Sequence, residues 1–144
     1  MSDRPTVDTI LSYARRIAVV GLSSKPWRSS YQVAHMLHEQ GYEIIPVNPN
    51  EHDVLGLKAY PSLAEIPGEP VDVVDVFRDV EHLPGIAEEV AAVGARAMWV
   101  QLGLRCPEAR EIAESEGLDY VEDICLKIEV NRLSRHMNLP PELA

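Results

Sequence analysis

Apolar residues fall into two alternating patterns along the chain. Short runs at Ile17–Val20, Tyr42–Val47, Val71–Phe77, Ala95–Leu102 and Leu118–Glu122 predict five strands, the third of them rich in β-branched residues. Between them, apolar residues recur every three or four positions, the helical spacing. Val7, Ile10, Leu11 and Ala14 predict an N-terminal helix capped at Thr6 and ending at Arg15-Arg16. Val33, Met36 and Leu37 mark the inner face of a second helix, capped at Ser29 or Ser30 and stopped at Gly41. Leu83, Ile86, Ala87, Val90 and Val93 line a third, capped at Asp79 and stopped at Gly94. Ala109, Ile112 and Ala113 follow Pro107, a residue suited to the first helical position, and Gly117 ends that helix. Asp123 caps a last helix carrying Cys125, Ile128, Glu129 and Leu133, and Pro140-Pro141 closes the chain in a frayed tail.

Five alternations of strand and helix predict an α/β fold: a doubly wound, mainly parallel five-stranded sheet with helices on both faces. Glu51 to Pro70 is the least regular stretch, with three prolines and two glycines. It reads as a connection carrying one short turn from Ser62 to Ile66, not as a domain boundary. Residues 1–144 are therefore read as one domain. In such a sheet, ligands bind at the carboxyl ends of the strands, where the strand order reverses. Four segments converge there: Gly21–Ser30, Asn48–Asn50, Phe77–Asp79 and Gln101–Arg105.

Charge narrows the classes of ligand. The chain carries 23 acidic and 13 basic residues, a net charge of −10. That argues against nucleic acid and against an anionic membrane surface. A small anion remains compatible, because local charge decides its binding. No apolar run reaches membrane-spanning length, and the N-terminus lacks the apolar region of a signal peptide. The two cysteines, Cys106 and Cys125, form neither a disulfide framework nor a zinc pattern. A cytoplasmic protein with reduced thiols is expected, either a monomer or a small homo-oligomer.

The first strand ends at Gly21. A loop then gathers Ser23, Ser24, Lys25, Arg28 and Ser29 before a helix N-terminus, which is a common construction for an anion site. The loop matches neither the dinucleotide fingerprint nor a Walker A sequence. A nicotinamide dinucleotide also calls for an acid at the end of the second strand. Asn48 stands there, and Glu51 comes three residues later, beyond Pro49. Phe77 and Arg78 follow the third strand and offer an apolar wall and a cation. Trp99 and Gln101 share a face of the fourth strand, with Trp99 read as core and Gln101 nearer the cleft. No histidine pairs with another ligand at metal spacing, and no nucleophile elbow occurs. Cys125, near a helix N-terminus, is the best nucleophile candidate, although packed small residues more often occupy such places.

Several blocks together carry a family resemblance: V-V-G-L-S-S-K-P-x-R-x-S-Y, P-V-N-P, A-Y-P-S-L, V-D-V-V-D-V-F-R and M-W-V-Q-L-G. In this order, from about Ile17 to Glu129, the chain resembles the small stand-alone coenzyme A-binding proteins. It is also similar to the CoA-binding domain of succinyl-CoA synthetase α subunits. The resemblance implies a Rossmann-like fold with coenzyme A as ligand. It places the nucleotide end at Gly21, Ser23, Ser24, Lys25, Arg28 and Ser29, and the adenosine beside Asn48 and Pro49. The resemblance also implies that Phe77, Arg78 and Gln101 line the path of the pantetheine arm. Cys125 matches a D-x-C-x-K-x-E block without an assigned role. The synthetase's phosphohistidine belongs to a further domain, so the resemblance implies binding without catalysis. Two alternatives stay open: a nicotinamide- or acyl-CoA-dependent enzyme, and a redox store or sensor in which Cys125 pairs with the CoA thiol.

Overall fold

Strands buried on both faces need apolar side chains at successive positions, and those runs become the central sheet. The computed structural model describes residues 3–136. Its elements in chain order are α1 (Arg4–Tyr13), β1 (Arg16–Val20), α2 (Ser29–Glu39), β2 (Glu43–Val47), β3 (Asp53–Val54), β4 (Leu57–Lys58), β5 (Val73–Val76), α3 (Leu83–Ala92), β6 (Ala97–Val100), α4 (Pro107–Ser115), β7 (Asp119–Val121) and α5 (Leu126–His136). Single 3-10 turns at Leu63–Glu65 and Val80–His82 precede β5 and α3.

Five strands form one parallel sheet in the order β2-β1-β5-β6-β7. This is a Rossmann-like α/β fold with helices on both faces. Alternate residues of each strand feed opposite cores. Ala18, Val74, Met98 and Tyr120 pack with α3 and α4. Ile17, Val19, Val73 and Trp99 pack with α1, α2 and α5. Trp99 is fully buried, and its indole N–H donates to the Ile124 carbonyl at 2.8 Å. The chain leaves β1 through α2 on one face and leaves β5 through α3 on the other. The order reverses between these two strands, which opens a crevice above their carboxyl ends.

Several boundaries differ from those the sequence predicts. Helix α1 begins at Arg4, with Asp3 at the cap position and a proline in its first turn, so Thr6 lies inside the helix. Arg28, not a serine, holds the cap position of α2. Pro107 does open α4, where the Cys106 sulfur accepts from the Ala109 N–H. Asp123 lies three residues ahead of α5 at φ +59°, and its carboxylate accepts from Gly103 and Arg105. The irregular connection contains an unforeseen antiparallel hairpin, β3–β4. Pro46 is accommodated because β2 is an edge strand. The predicted Pro140-Pro141 tail lies outside the described residues. Among the described residues, no helix is long and apolar enough to cross a membrane.

Candidate functional site

The ends of β2, β1 and β5 are stitched together at Gly21. Its N–H donates to the Val47 carbonyl at 2.8 Å, and the Phe77 N–H donates to the Val20 carbonyl at 2.9 Å. Gly21 has φ +86°, and a Cβ there would lie 2.5 Å from the Phe77 carbonyl oxygen. Glycine is required both by the backbone conformation and by the approach of β5. Asn48 secures the neighbouring turn. Its Nδ2 donates to the Leu22 carbonyl at 3.1 Å, and its Oδ1 accepts from the Asn50 N–H at 2.9 Å.

Above these strand ends lies a cleft of two joined lobes, about 400 Å³ and about 710 Å³. The smaller is lined by Gly21, Asn48, Pro49, Phe77 and Arg78, with apolar walls from Val20, Val47, Leu63 and Ile86. The larger is lined by Gly21, Ser23, Ser24, Lys25, Arg28, Ser29, Phe77, Arg78 and Gln101. Gly21, Asn50, Phe77 and Arg78 border both. Every residue the sequence singled out for this site therefore faces one lobe or the other. Asn50, Asp79, Leu102 and Leu104 also line the cleft, from segments expected to converge there but not named for it. Glu51, Ser62, Ile86 and Glu89 come from outside those segments. Cys125 borders neither lobe and packs, partly buried, against the core beneath α2 and α5. Among the described residues, no cluster of His, Cys, Asp or Glu could hold a metal ion.

Among the described residues, Arg4, Arg16, Arg105, Arg110 and Arg132 lie in ion pairs. Among the described residues, no carboxylate pairs with Lys25, Arg28 or Arg78, although Glu51 and Asp79 line the same lobe. The Lys25 ammonium stands 6.0 Å from the centre of the exposed Trp27 ring. Gln101 is 6% exposed, and its Oε1 has no hydrogen-bond partner. A buried acceptor of this kind needs a donor.

The loop's amides are less open than its sequence suggests. The Ser23 N–H donates to Ser30 Oγ and the Lys25 N–H to Ser23 Oγ, both at 3.1 Å, and the Ser24 N–H donates to Glu51 Oε2 at 2.8 Å. The first turn of α2 has no side-chain cap, because Arg28 at the cap position offers no acceptor, and the Ser30 hydroxyl, already inside the helix, accepts from Ser23. On the opposite rim, the Gly103 N–H and Arg105 both donate to the Asp123 carboxylate. The Gly103 N–H, followed by the Arg105 charge, holds that carboxyl below its ordinary range. These contacts fix the segment that presents Leu102 and Leu104. Asp75, two residues before Phe77, is fully buried with both carboxylate oxygens unpartnered, and burial pushes its carboxyl well above the ordinary range.

A protein family described as CoA binding domain matches residues 15–131 of the chain. The protein YneT of Bacillus subtilis is 46% identical over 122 residues, which cover 85% of this chain and 90% of YneT. The α subunit of an ADP-forming acetate–CoA ligase of Pyrococcus furiosus is 50% identical over 136 residues. That match covers 87% of this chain and 29% of the subunit, so the chain spans under a third of that relative. Among solved structures, a protein from Pyrococcus horikoshii superposes with a TM-score of 0.86 at 36% identity, covering 93% of each chain.

Proposed function

The chain belongs to the CoA-binding domain family, and on that premise we propose that it binds coenzyme A, or an acyl thioester of it, as a single-domain binding module that catalyses no reaction. The observation that carries the reading is the trio Lys25, Arg28 and Arg78. In a chain with 23 acidic residues, these three cations border one cleft and stay out of every ion pair among the described residues. An anionic ligand supplies the partner they lack.

The residues present suit coenzyme A in detail. Its diphosphate and 3′-phosphate call for cations and hydroxyls, which Lys25, Arg28, Ser23, Ser24 and Ser29 provide around the larger lobe. Its adenine calls for apolar surface, found beside Asn48 and Pro49 in Val47, Leu63 and Ile86. Its pantetheine arm carries amide N–H groups. One of these satisfies the buried Gln101 Oε1, with Phe77 and Leu104 as walls. The Asn48 amide is spent on the backbone, so its part is to hold the turn against the ligand. The ligase activity named for the Pyrococcus furiosus relative belongs to a subunit of which this chain spans 29%. The proposal carries over the binding and leaves the ligation aside.

Calorimetric titration tests the reading, together with native mass spectrometry of freshly purified protein. One CoA per chain, with saturable heat, is expected. Absence of heat at millimolar CoA, in protein shown to be folded, would sink it. Turnover of any member of an acyl-CoA panel would sink the non-catalytic part.

A further inference from the structure

The amides of the β1–α2 loop are closed mostly from within, but the Ser24 N–H is taken by Glu51, 27 residues further along the chain. The Asn48-Pro49-Asn50 turn folds back on itself through the Asn48 side chain and returns Glu51 to the loop. Glu51 lines the larger lobe beside Lys25, Arg28 and Arg78. Among the described residues it pairs with none of them, and its recorded bond is to a backbone donor. A carboxylate is thus already seated on an amide of a strand-to-helix loop, where such loops take the anionic group of a ligand. A second anion brought to the same N–H meets this carboxylate at close range and is repelled.

We propose that Glu51 determines which anion the cleft accepts: its carboxylate holds the Ser24 N–H, and a phosphate-bearing ligand binds by displacing it. The inference rests on the reading of the cleft as a CoA site and deepens it. A carboxylate ligand would exchange one carboxylate for another and gain little. A phosphate ester brings more charge and more acceptor oxygens, and it engages Lys25 and Arg28 along with the amide. Glu51 thereby restricts the site to phosphate and diphosphate esters, at the cost of some affinity for them.

The test compares wild type, Glu51→Gln and Glu51→Ala by calorimetry with CoA and, separately, with inorganic pyrophosphate. Glutamine keeps an uncharged acceptor for Ser24, whereas alanine removes it, so one variant preserves the loop and the other vacates the amide. Both variants are expected to bind CoA and pyrophosphate about tenfold tighter than wild type. In amide NMR spectra of the wild type, the Ser24 signal moves on addition of CoA. Weaker CoA binding by Glu51→Gln would make Glu51 a ligand contact and overturn the inference, and unchanged affinity would overturn it equally. If all three proteins are folded and ignore CoA, the CoA reading falls. The pyrophosphate titration then decides the inference: tightening upholds it and equal binding ends it.

Discussion

The loop after β1 and the far edge of the sheet are both crowded with charge, and they dispose of it in opposite ways. At the edge, each charge closes on a neighbour. Glu122 accepts from the Cys106 N–H and from the Tyr120 hydroxyl, both at 3.0 Å, with Arg105 and Arg110 each 3.9 Å away. Arg110 also pairs with Asp3 and lies over the Tyr120 ring, and Asp123 ties Gly103 and Arg105. In the cleft, Lys25, Arg28 and Arg78 have no carboxylate partner among the described residues. Closed charge fixes a shape, here the segment from Gly103 to Cys106 that forms one rim. The cleft cations make no such closure and stay available to a partner from outside. The buried carboxylates repeat the contrast, because Glu122 is satisfied and Asp75 is not.

The hardest blow to the closed side is Glu122→Ala. It strands the Cys106 N–H and takes the nearer acceptor from the Tyr120 hydroxyl, while Arg105 and Arg110 keep Asp123 and Asp3 as partners. Urea unfolding is expected to show a loss of about 3 kcal/mol. Glu122→Gln, which keeps one acceptor, loses less. A loss under about 1 kcal/mol for alanine would mean that the edge network is decoration.

Asp75 should respond with the opposite sign. Its carboxyl is pushed well above the ordinary range by burial, whereas in the unfolded chain it ionises near pH ~4. As pH rises through the interval between these values, the unfolded state gives up its proton and the folded state keeps it. The contribution of Asp75 to stability is therefore greatest below that interval and is lost as pH climbs through it. Asp75→Asn is expected to remove this slope in unfolding free energies measured from pH ~4 to ~8. Asp75→Val, which deletes two unpartnered acceptors, should gain about 2 kcal/mol at pH ~8. A slope unchanged by the asparagine variant would show that Asp75 finds a partner in solution.

The same division explains what the sequence could reveal. Strands buried on both faces are continuous apolar runs, so all five members of the parallel sheet were legible, and so was the convergence of their carboxyl ends. The β3–β4 hairpin was not. It is two residues long on each side, and its turn places Leu55 at φ +58° before Gly56, without the Asn-Gly or Asp-Gly signature of such turns. Caps misled for a shared reason. Ser30 and Asp123 are good cap residues by type, but distant amides at Ser23 and Gly103 compete for their oxygens and win. Glu51 lies beyond a proline from the strand end, which in sequence counts against a dinucleotide acid, yet that turn is what returns it to the loop. Ile86 and Glu89 reach the cleft from α3, and only the packing of that helix over the sheet puts them there.

The smallest effect on stability should come from the open side. Arg28 is exposed, holds the α2 cap position without a side-chain cap bond, and joins no ion pair among the described residues. Its removal strands nothing, so Arg28→Ala should leave unfolding free energy unchanged within ~0.5 kcal/mol. CoA affinity should nevertheless fall about tenfold, the worth of one good charge-assisted contact to a phosphate. Added salt should weaken wild-type binding more than binding by the variant, which has one charge fewer to screen. A variant that binds CoA as wild type does would put Arg28 outside the site. A variant that unfolds as readily as Glu122→Ala would mean that this cation is already closed on the fold, and the division between the two regions would not stand.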